Sequence, residues 1–588
     1  MKRVIKDQLK RVIKPDGKIG KKVYSTYGKI LIKHVHGSSY KAWMAQEKGL
    51  FIEKVEQENV LISILVPCFN TPDKYARPLI QSMLQQTYGN WQLCIADASS
   101  DKEIALKLKK LCEQDKRITY IRVDKNQGIS GNTNAALAHA KGDFVGLLDH
   151  DDVLSVHALN EVAGVIQAKP KVDFIYSDED KLSDNGKARR TPFFKPDWSP
   201  DLLLGVNYIT HFAVIRRSLL EHLGGLRSDY DGAQDYDLFM RVTEKAKEIH
   251  HIPKILYHWR LADGSTAKVV GEKNYADDAG RKALGDMVKR RGLKAEVLEI
   301  AKRPTNYRLK YQLPKKQPKV SIIIPFKDKP ELLRQCVNSI LKKTTYKNYE
   351  IILVSNNSTE NATHKLLEKY KKVKTCKVHY WDHHFNYSAV NNYGATKASG
   401  EYIVLLNNDT EVITKDWLDE LVSVAMQPGV GAVGPLLMYP KKKDGIQHAG
   451  VVLGLGGMAG HVFRNRQPDE WTDFGLTTWP RDYLAVTAAC LVVEKKKFKE
   501  AGGLDETFIV AGNDVAFCLT LTKLGYRNIY WPFARLYHYE SASVKTYTGI
   551  QSDYDHSLTY YRPYLDQGDG YFNPNLSLKI EGVRLRGK

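Results

Sequence analysis

The chain has 588 residues and a mass of 66.8 kDa, which is too long for a single hydrophobic core and predicts two or three domains. Its 43% hydrophobic and 26% charged residues are typical of a soluble globular protein, and no apolar run approaches the ~20 residues that a membrane-spanning helix needs. The formal net charge of +21 predicts an anionic partner, and the charge alone leaves open nucleic acid, a phosphorylated ligand or an acidic membrane.

The cysteines and the N-terminus indicate the cellular compartment in which the protein resides. The seven cysteines form no CxxC pair and lie mostly in apolar surroundings, which argues against disulfides or a zinc ribbon and favours a reducing environment. The N-terminus has no secretion h-region, so we expect the protein in the cytoplasm.

Residues 1–36 form a strongly basic leader. They carry eleven Lys or Arg residues against two Asp residues, and Ile5, Leu9 and Val12 recur at helical spacing. A basic amphipathic helix is attracted to anionic lipid, although a solvated helix packed on the next domain would have the same pattern. With a further helix predicted over 40–53, we expect a helical leader over 1–58.

Strands and helices alternate after the leader. Apolar runs predict strands at 61–67, 92–96, 118–123 and from Phe144, and helical periodicity predicts helices through Gln86, over 103–114 and over 132–140. This alternation predicts a parallel sheet covered by helices.

The strand from Phe144 ends in an acidic stretch, Asp149-His150-Asp151-Asp152. Carboxylates at the carboxyl end of a parallel strand lie in the crevice where open α/β sheets bind ligands. Asp149 and Asp151 point the same way on an extended backbone, which suits a divalent cation on one carboxylate and a ribose hydroxyl on the other. An acidic turn that caps the next helix would contain the same residues.

The second half of the chain repeats the first. The segment 320–325 repeats 62–67, and the pairs Asn134/Asn392, Gly142/Gly400, Asp149/Asn407 and Asp151/Asp409 are all 258 residues apart. Because one offset holds across separate motifs, we predict a tandem duplication of one domain. The later pairs Gly224/Gly502 and His258/His538 are 278 and 280 residues apart, so about twenty extra residues are expected within 430–485.

A linker is predicted between the two copies. Residues 263–318 contain a charged helix over about 273–292 and the Lys/Pro-rich connector 314–319. We therefore expect a first domain at 59–262 and a second domain at 319–588.

Both halves resemble family 2 glycosyltransferases, whose GT-A fold is an α/β domain with a Rossmann-like, mostly parallel sheet. The resemblance covers roughly residues 40–580. It rests on a first strand that ends in Pro, an Asp after the second strand, the Asp-x-Asp element, and a later Gln/Asn-Asp pair before a helix, Gln234-Asp235 and Asn513-Asp514. The tandem arrangement is similar to bacterial enzymes that build O-antigen, capsule or cell-wall polysaccharide. The second half, with Gln447-His448-Ala449-Gly450, is similar to rhamnosyltransferases.

The resemblance implies roles for residues of the first copy. Asp151 and His258 would ligate Mn²⁺ or Mg²⁺, Asp149 would hold the ribose or diphosphate of a nucleoside-diphosphate sugar, Asp97 would bind its nucleotide, and Asp235 would be the general base. From the residues alone, His258 can also be a satisfied core histidine and Asp97 can form an Asx turn. The acidic cluster 178–180 either orients the donor sugar or forms a solvated turn.

The second copy keeps part of this set. The resemblance implies that Asp409 and His538 hold the metal and that Asp514 is the base. Asn407 replaces Asp149, and Ser355 stands at the position of Asp97, although a one-residue shift would place Asn356 there instead. Because the metal and base positions recur while the nucleotide side differs, we expect two active sites with different donors.

The implied function is a bifunctional, inverting, metal-dependent glycosyltransferase that adds sugars to a growing, lipid-linked bacterial surface polysaccharide, with dTDP-rhamnose as a candidate donor for the second domain. The alternative is a single-activity transferase whose other domain binds the acceptor. Nucleic-acid binding is disfavoured because no recognition-helix, RNP-like or zinc-finger pattern is present. We expect a peripheral protein on the inner face of the cell membrane, held there by residues 1–36.

Overall fold

The computed structural model describes residues 40–55, 58–262, 270–440, 445–540 and 551–586. The basic segment 1–36 lies outside these ranges, so its helical character and its membrane contact remain predictions. Residues 40–47 form helix α1, and a 3₁₀ turn at Lys48–Leu50 ends the helix earlier than predicted. Within the described ranges, no helix is long and apolar enough to cross a membrane.

The first domain is built on a nine-stranded sheet in the order β3-β2-β1-β4-β8-β6-β9-β5, with β7 beside β6. Its strands are β1 Ile62–Cys68, β2 Trp91–Asp97, β3 Ile118–Arg122, β4 Phe144–Leu147, β5 Val153–Leu154, β6 Phe174–Ser183, β7 Arg189–Phe193, β8 Val214–Arg216 and β9 Ile249–Leu261. The first four strands are parallel, as their alternation with helices predicted. Strand β8 then joins β4 antiparallel and carries the sheet on to the parallel pair β6 and β9.

Helices cover both faces of this sheet. They are α2 Asp73–Leu84, α3 Lys102–Cys112, α4 Gly128–Leu137, α5 Ala158–Ala168, α6 Pro200–Gly205, α7 Arg217–His222 and α8 Gln234–Thr243. The start of helix α3 is determined by the residue that caps its N-terminus. Asp101 precedes it, and its carboxylate accepts hydrogen bonds from the backbone N–H groups of Glu103 and Ile104, which would otherwise lack partners.

The second domain repeats this topology in a ten-stranded sheet, β14-β13-β12-β15-β24-β17-β25-β16, with β18 beside β17 and β23 beside β25. Its strands are β12 Val320–Phe326, β13 Tyr349–Ser355, β14 Cys376–Tyr380, β15 Tyr402–Leu406, β16 Thr410–Val412, β17 Val430–Met438, β18 Ile446–His448, β23 Arg481–Tyr483, β24 Cys490–Glu494 and β25 Arg527–His538. Its helices are α10 Pro330–Lys343, α11 Asn361–Lys371, α12 Tyr387–Lys397, α13 Trp417–Ala425, α14 Lys495–Glu500, α15 Asn513–Lys523 and α16 Gln551–Gln567.

The strand register demonstrates the duplication. Ile62 lies opposite Trp91 and Phe144, and Val320, 258 residues later, lies opposite Tyr349 and Tyr402. The predicted fold class, two tandem GT-A domains, is confirmed.

The twenty extra residues of the second copy lie where they were expected. Besides β18, this region contains the short strands β19 Val451–Leu453, β20 Ala459–His461, β21 Trp471–Thr472 and β22 Gly475–Leu476, which pair as two small hairpins. The insertion therefore adds two small hairpins outside the main sheet, while its strands β18 and β23 pair with strands of the main sheet.

The described part of the segment predicted as a linker, residues 270–318, is packed. Helix α9, Val270–Arg290, buries Ala283, Leu284 and Met287. It is followed by an antiparallel hairpin, β10 Ala295–Ile300 and β11 Arg303–Tyr311, which the sequence reading did not predict. One apolar cluster continues from Leu65 of the first domain through this segment to Val320 of the second, so the two domains share a core.

Candidate active sites

The first crevice opens where the central parallel strands of the first domain end. Asp97 is the last residue of β2, and Asp149 follows β4 by two residues. Strand β5 pairs with β9 so that Val153 lies opposite His258. The topology therefore brings the Asp151 loop to the same edge of the sheet as His258, as a metal pair would require.

His258 is oriented as metal-binding histidines usually are. Its Nδ1 lies 2.6 Å from Oδ1 of Asp180, whose side chain is fully buried. Histidines that ligate metals commonly donate their other ring N–H to a carboxylate, which fixes the tautomer and leaves Nε2 for the ion. His258 therefore fits the ligand role.

The acidic stretch Asp149-His150-Asp151-Asp152 brings three carboxylates close together. Asp152 is buried and accepts hydrogen bonds of 2.6 Å from the backbone N–H of Arg260 and from the hydroxyl of Tyr257. Burial raises the pKa of Asp152 well above its usual value, and the charges of Asp149 and Asp151 raise it further. Burial also raises the pKa of Asp151, with Asp149 adding to the shift. A bound divalent cation would offset this repulsion, so the donor set suits one.

His211, which the sequence reading did not single out, lies between two carboxylates. Its Nδ1 is 3.2 Å from Oε2 of Glu179, and its Nε2 is 3.6 Å from Oδ2 of Asp149. Burial alone would lower the pKa of His211, but hydrogen bonds and charge from Asp149 and Glu179 outweigh it and raise that pKa to about 10. The side chain of Asp149 is 45% exposed, so desolvation opposes its ionisation only in part, and His211 brings the pKa of that carboxyl below its usual value.

Asp149, Asp152 and His211 are also a group that could surround a cation, with ligand atoms within 4.8 Å of one another. Both ring nitrogens of His211 face carboxylates, however, at 3.2 and 3.6 Å, so ion pairing accounts for the position of the ring. We assign His211 to ion pairing rather than to metal binding.

Asp235 lies in the same crevice, in the first turn of α8. Its Oδ2 accepts a hydrogen bond of 2.8 Å from Nδ2 of Asn207, and its Oδ1 accepts one of 2.8 Å from the backbone N–H of Tyr236. Burial raises the pKa of Asp235, the charge of His211 lowers it, and the charge of Asp149 raises it. The predicted base and the predicted donor-side carboxylate are thus close enough to influence each other's ionisation.

Asp97 forms an Asx turn, which the sequence analysis gave as the alternative to nucleotide binding. It is fully buried, and its carboxylate accepts hydrogen bonds from the backbone N–H of Ser99 at 2.9 Å and from the hydroxyl of Tyr120 at 2.7 Å. Arg122 approaches the same carboxylate at 3.3 Å. A role of Asp97 in nucleotide binding stays a prediction.

The acidic cluster Asp178-Glu179-Asp180 belongs to the interior. Its members are at most 2% exposed and lie within strand β6, so the solvated-turn interpretation is wrong. Asp178 accepts hydrogen bonds from Nε2 of His251 at 2.9 Å and from Nδ2 of Asn573 at 2.8 Å. The cluster therefore joins the first crevice to the C-terminal segment of the second domain.

The second crevice places its predicted metal residues together. Thr410 lies opposite His538 in the pairing of β16 with β25, and Nε2 of His538 is 3.4 Å from Oδ1 of Asp409. Both side chains are buried, and Nδ1 of His538 has no hydrogen-bond partner among the described residues. The Asp–His pair fits a divalent cation as in the first copy, but without a carboxylate behind the histidine.

Asp514 occupies the position of Asp235. It accepts hydrogen bonds from the backbone N–H groups of Ala488 at 3.1 Å and Val515 at 2.9 Å, and burial raises its pKa. The base position in the second copy thus keeps an aspartate whose pKa is raised by burial, although its hydrogen-bond donors differ.

The nucleotide side of the second crevice differs from the first. Oδ1 of Asn407 accepts a hydrogen bond of 3.1 Å from the hydroxyl of Tyr387. The strand register pairs Phe326 with Ser355 as it pairs Cys68 with Asp97, so Ser355, not Asn356, is the structural counterpart of Asp97. Nδ2 of Asn356 donates instead to the backbone carbonyl oxygens of Trp381 and His383, at 3.0 and 2.9 Å, so a nucleotide role for Asn356 stays a prediction.

Two tandem α/β domains, each with an acidic crevice at the carboxyl ends of its central strands, have the architecture of paired GT-A glycosyltransferases. The chain belongs to glycosyl transferase family 2, whose family model matches residues 63–224 and 321–478, one stretch in each domain.

Two relatives match most of the chain. The O-antigen biosynthesis protein RfbC of Myxococcus xanthus is 42% identical over 558 residues, which cover 93% of this chain and 43% of that protein. The uncharacterized protein y4gI of Sinorhizobium fredii is 40% identical over 537 residues, which cover 89% of this chain and 58% of that protein. The chain thus spans about half the length of these curated relatives.

Solved structures are more distant. GalNAc-T7 with UDP, GalNAc and Mn²⁺ is 18% identical with a TM-score of 0.38 and covers 46% of this chain and 53% of its own. Staphylococcus aureus TarS 1-349 with UDP-GlcNAc is 18% identical with a TM-score of 0.31 and covers 39% of this chain and 72% of its own.

Proposed function

We propose that the chain is a bifunctional, inverting glycosyltransferase that uses nucleoside-diphosphate sugars as donors. The observation that carries the proposal is the repetition of one chemical set. Each crevice brings an aspartate and a histidine that suit a divalent cation to one edge of its sheet: Asp151 and His258 through the pairing of β5 with β9, and Asp409 and His538 at 3.4 Å. Each crevice also contains an aspartate in the first turn of a helix, Asp235 in the first domain and Asp514 in the second. Burial raises the pKa of both.

The raised pKa suits Asp235 and Asp514 to general-base catalysis. A carboxylate whose pKa lies above its ordinary value accepts a proton more readily, and activity requires its ionised form. In the proposed step the base removes the proton from an acceptor hydroxyl as the hydroxyl oxygen bonds to the anomeric carbon. The bond from that carbon to the diphosphate breaks on the opposite face, which inverts the anomeric centre without an enzyme nucleophile.

The Asp–His pairs would hold Mn²⁺ or Mg²⁺. When bound, such an ion stabilises the negative charge that develops on the departing diphosphate. On the donor side, Asp149 would hold the ribose or the diphosphate, and Asn407 would take this place in the second domain.

The differences between the crevices support two donors. Asp149 is replaced by Asn407 and Asp97 by Ser355, while the base and metal positions recur. We infer that the second domain takes a different nucleotide sugar, for which dTDP-rhamnose is our candidate. The same differences leave one other candidate function, in which only the first domain transfers sugar and the second binds acceptor.

The acceptor we propose is a lipid-linked bacterial surface polysaccharide, of the O-antigen, capsule or cell-wall type. Support comes from the Myxococcus xanthus relative, which is named an O-antigen biosynthesis protein. The basic segment 1–36 would hold the enzyme on anionic lipid at the inner face of the cell membrane. We assign the leader to 1–58, the two catalytic domains to 59–262 and 319–588, and the packed connection to 263–318.

A panel of nucleotide sugars tests this proposal. The protein is incubated with each donor and Mn²⁺, and release of the nucleoside diphosphate is followed for the wild type and for Asp235→Asn and Asp514→Asn. We expect two donors to be turned over, each sensitive to one substitution and to EDTA. No turnover of any donor with an added glycan acceptor would overturn the proposal.

A further inference from the structure

The first crevice contains a side-chain bridge whose central histidine has no role in the proposed chemistry. It consists of Glu179, His211 and Asp149, whose side chains are 3%, 15% and 45% exposed. The imidazole of His211 therefore connects a carboxylate in the interior to one that faces the crevice.

The interior end of the bridge is firmly held. Glu179 forms ion pairs of 3.2 Å with Lys195, which is fully buried, and with Lys181. The ammonium group of Lys195 also donates to the backbone carbonyl oxygens of Ser177 and Ile209, at 2.7 and 2.6 Å. These contacts fix the carboxylate that orients the ring of His211.

Aromatic rings fix the plane of the imidazole. The ring of His211 stacks on Tyr257, with centroids 4.3 Å apart and planes at 13°, and meets the edge of Trp259 at 5.1 Å. Because Glu179 and Tyr257 constrain the ring independently, Nε2 has one direction available, and it points to Asp149.

The segment that carries His211 also contacts the predicted base. Asn207 donates to Asp235, and His211, four residues later, reaches Asp149. Residues 207–211, just before β8, thus contact both Asp235 and Asp149, which lie on the two sides of the space where acceptor and donor would meet.

Among its described residues, the second copy has no such bridge. Gly146 pairs with Val214 in the first sheet and Val404 pairs with Val492 in the second, so the counterpart of His211 is Ala489. At the level of Glu179, strand β17 carries Leu437 and Met438. The bridge is therefore a property of the first site alone.

We propose that His211 is a positioning residue that determines donor recognition in the first site, by holding one oxygen of Asp149 and leaving the other to accept a hydrogen bond from the nucleotide sugar. A carboxylate with one oxygen in an ion pair keeps its other oxygen as the acceptor for a hydrogen bond, which is what recognition of one hydroxyl requires. Asn407, whose oxygen already accepts from Tyr387, presents a different pattern in the second site. This inference rests on the proposed function.

The test uses full-length protein carrying Asp514→Asn, so that only the first site turns over. In this background, His211→Ala is compared with His222→Ala, an exposed histidine in α7 beyond the opposite end of β8. We measure KM and kcat for the donor that the first site uses, and calorimetric binding of the matching nucleoside diphosphate sugar. The expected result for His211→Ala is a rise in KM and Kd of about tenfold or more, a kcat within a few-fold, and partial recovery of KM on addition of imidazole. His222→Ala should match the parent protein.

The outcomes separate this inference from the proposed function. If the parent protein binds the donor and His211→Ala binds it equally well, His211 does not position Asp149 and the inference is wrong. It is equally wrong if His211→Ala lowers Tm and loses donor binding that neither imidazole nor His211→Gln restores, because the ring then only packs. If the parent protein neither binds nor turns over any nucleotide sugar, the proposed function itself has failed.

Discussion

The two predicted bases, Asp235 and Asp514, share a raised pKa but are held differently. Asp235 accepts a hydrogen bond from the side chain of Asn207, whereas Asp514 accepts from the backbone N–H of Ala488. A side-chain donor can be removed by substitution and a backbone donor cannot. The first base is therefore open to a selective test.

We predict that Asn207→Ala moves the acid limb of the first site's kcat/KM profile to higher pH. The lost hydrogen bond stabilises the ionised carboxylate, so its removal raises the pKa of Asp235, and the base becomes active only at higher pH. A hydrogen bond to a charged group is worth roughly 1.5 kcal/mol, which corresponds to about one pH unit. The second site's profile is the internal control. An unshifted acid limb at the first site would show that Asp235 is not its base.

The orientation of His258 gives a second prediction at this scale. Asp180→Asn replaces the carboxylate that holds Nδ1, so we expect the first site's affinity for Mn²⁺ to fall by about 10–100-fold. The second site should keep its metal affinity, because His538 has no such carboxylate among the described residues. Metal titrations of donor binding at each site measure both values, and thermal unfolding checks that the variant is folded. Equal metal affinity in wild type and variant would remove His258 from the metal site.

The residues missed by the sequence reading share one property. Comparison of the halves finds the residues that both contain, so it identified Asp151 with Asp409 at an offset of 258 residues and His258 with His538 at an offset of 280. The counterpart of His211 in the second half is Ala489, so a comparison of the two halves does not identify His211. Its partner Glu179 was noticed as part of an acidic cluster, but only the fold shows that the cluster is buried.

At the scale of elements, local patterns predicted the parallel strands well and the antiparallel additions poorly. Strand β12 is a continuous apolar run because helices cover it on both faces, and such runs are recognisable in sequence. The hairpin β10–β11 mixes apolar and charged residues, since Arg308 and Lys310 alternate with buried Leu309 and Tyr311. A half-exposed strand that follows a charged helix is hard to distinguish from a linker by composition.

Deletion of the basic leader tests whether residues 1–36 bind the membrane. Removing residues 1–36 removes eleven cationic and two anionic side chains, and each basic residue near an anionic surface contributes about 1 kcal/mol. We expect the shortened protein to lose co-sedimentation with anionic liposomes at low salt and to keep donor turnover. A control substitution of Lys315 and Lys316, in the connector, should leave sedimentation unchanged. Undiminished liposome binding by the deletion variant would locate the membrane contact elsewhere in the chain.

At the scale of the whole molecule, the domains are joined by an ionic cluster of two buried carboxylates and a partly exposed arginine. Arg527 of the second domain pairs with Asp201 of the first at 3.1 Å and with Asp482 at 3.2 Å. Asp482 also accepts a hydrogen bond of 2.7 Å from the hydroxyl of Ser199. These contacts hold the two crevices in one arrangement, which a loose linker would not do.

We predict that Arg527→Met lowers the free energy of unfolding by about 3 kcal/mol, since it leaves Asp201 and Asp482 buried without their cation. Lys289→Met is the control, because its ion pair to Asp286 is 3.8 Å long and the lysine is 83% exposed, and its effect should be small. Denaturant unfolding followed by circular dichroism measures both variants. If Arg527→Met matched the control, the cluster would not contribute to domain association.

The central claim is that the two crevices are two active sites that act in turn on one glycan. Complementation between base variants tests it most directly. The Asp235→Asn and Asp514→Asn proteins are incubated separately and together with both donors and the acceptor, and the products are sized by mass spectrometry. We predict that each variant alone stops at a different product and that the mixture restores the wild-type product. A full-length product from either variant alone would show that the substituted crevice does not transfer sugar, and would contradict the account.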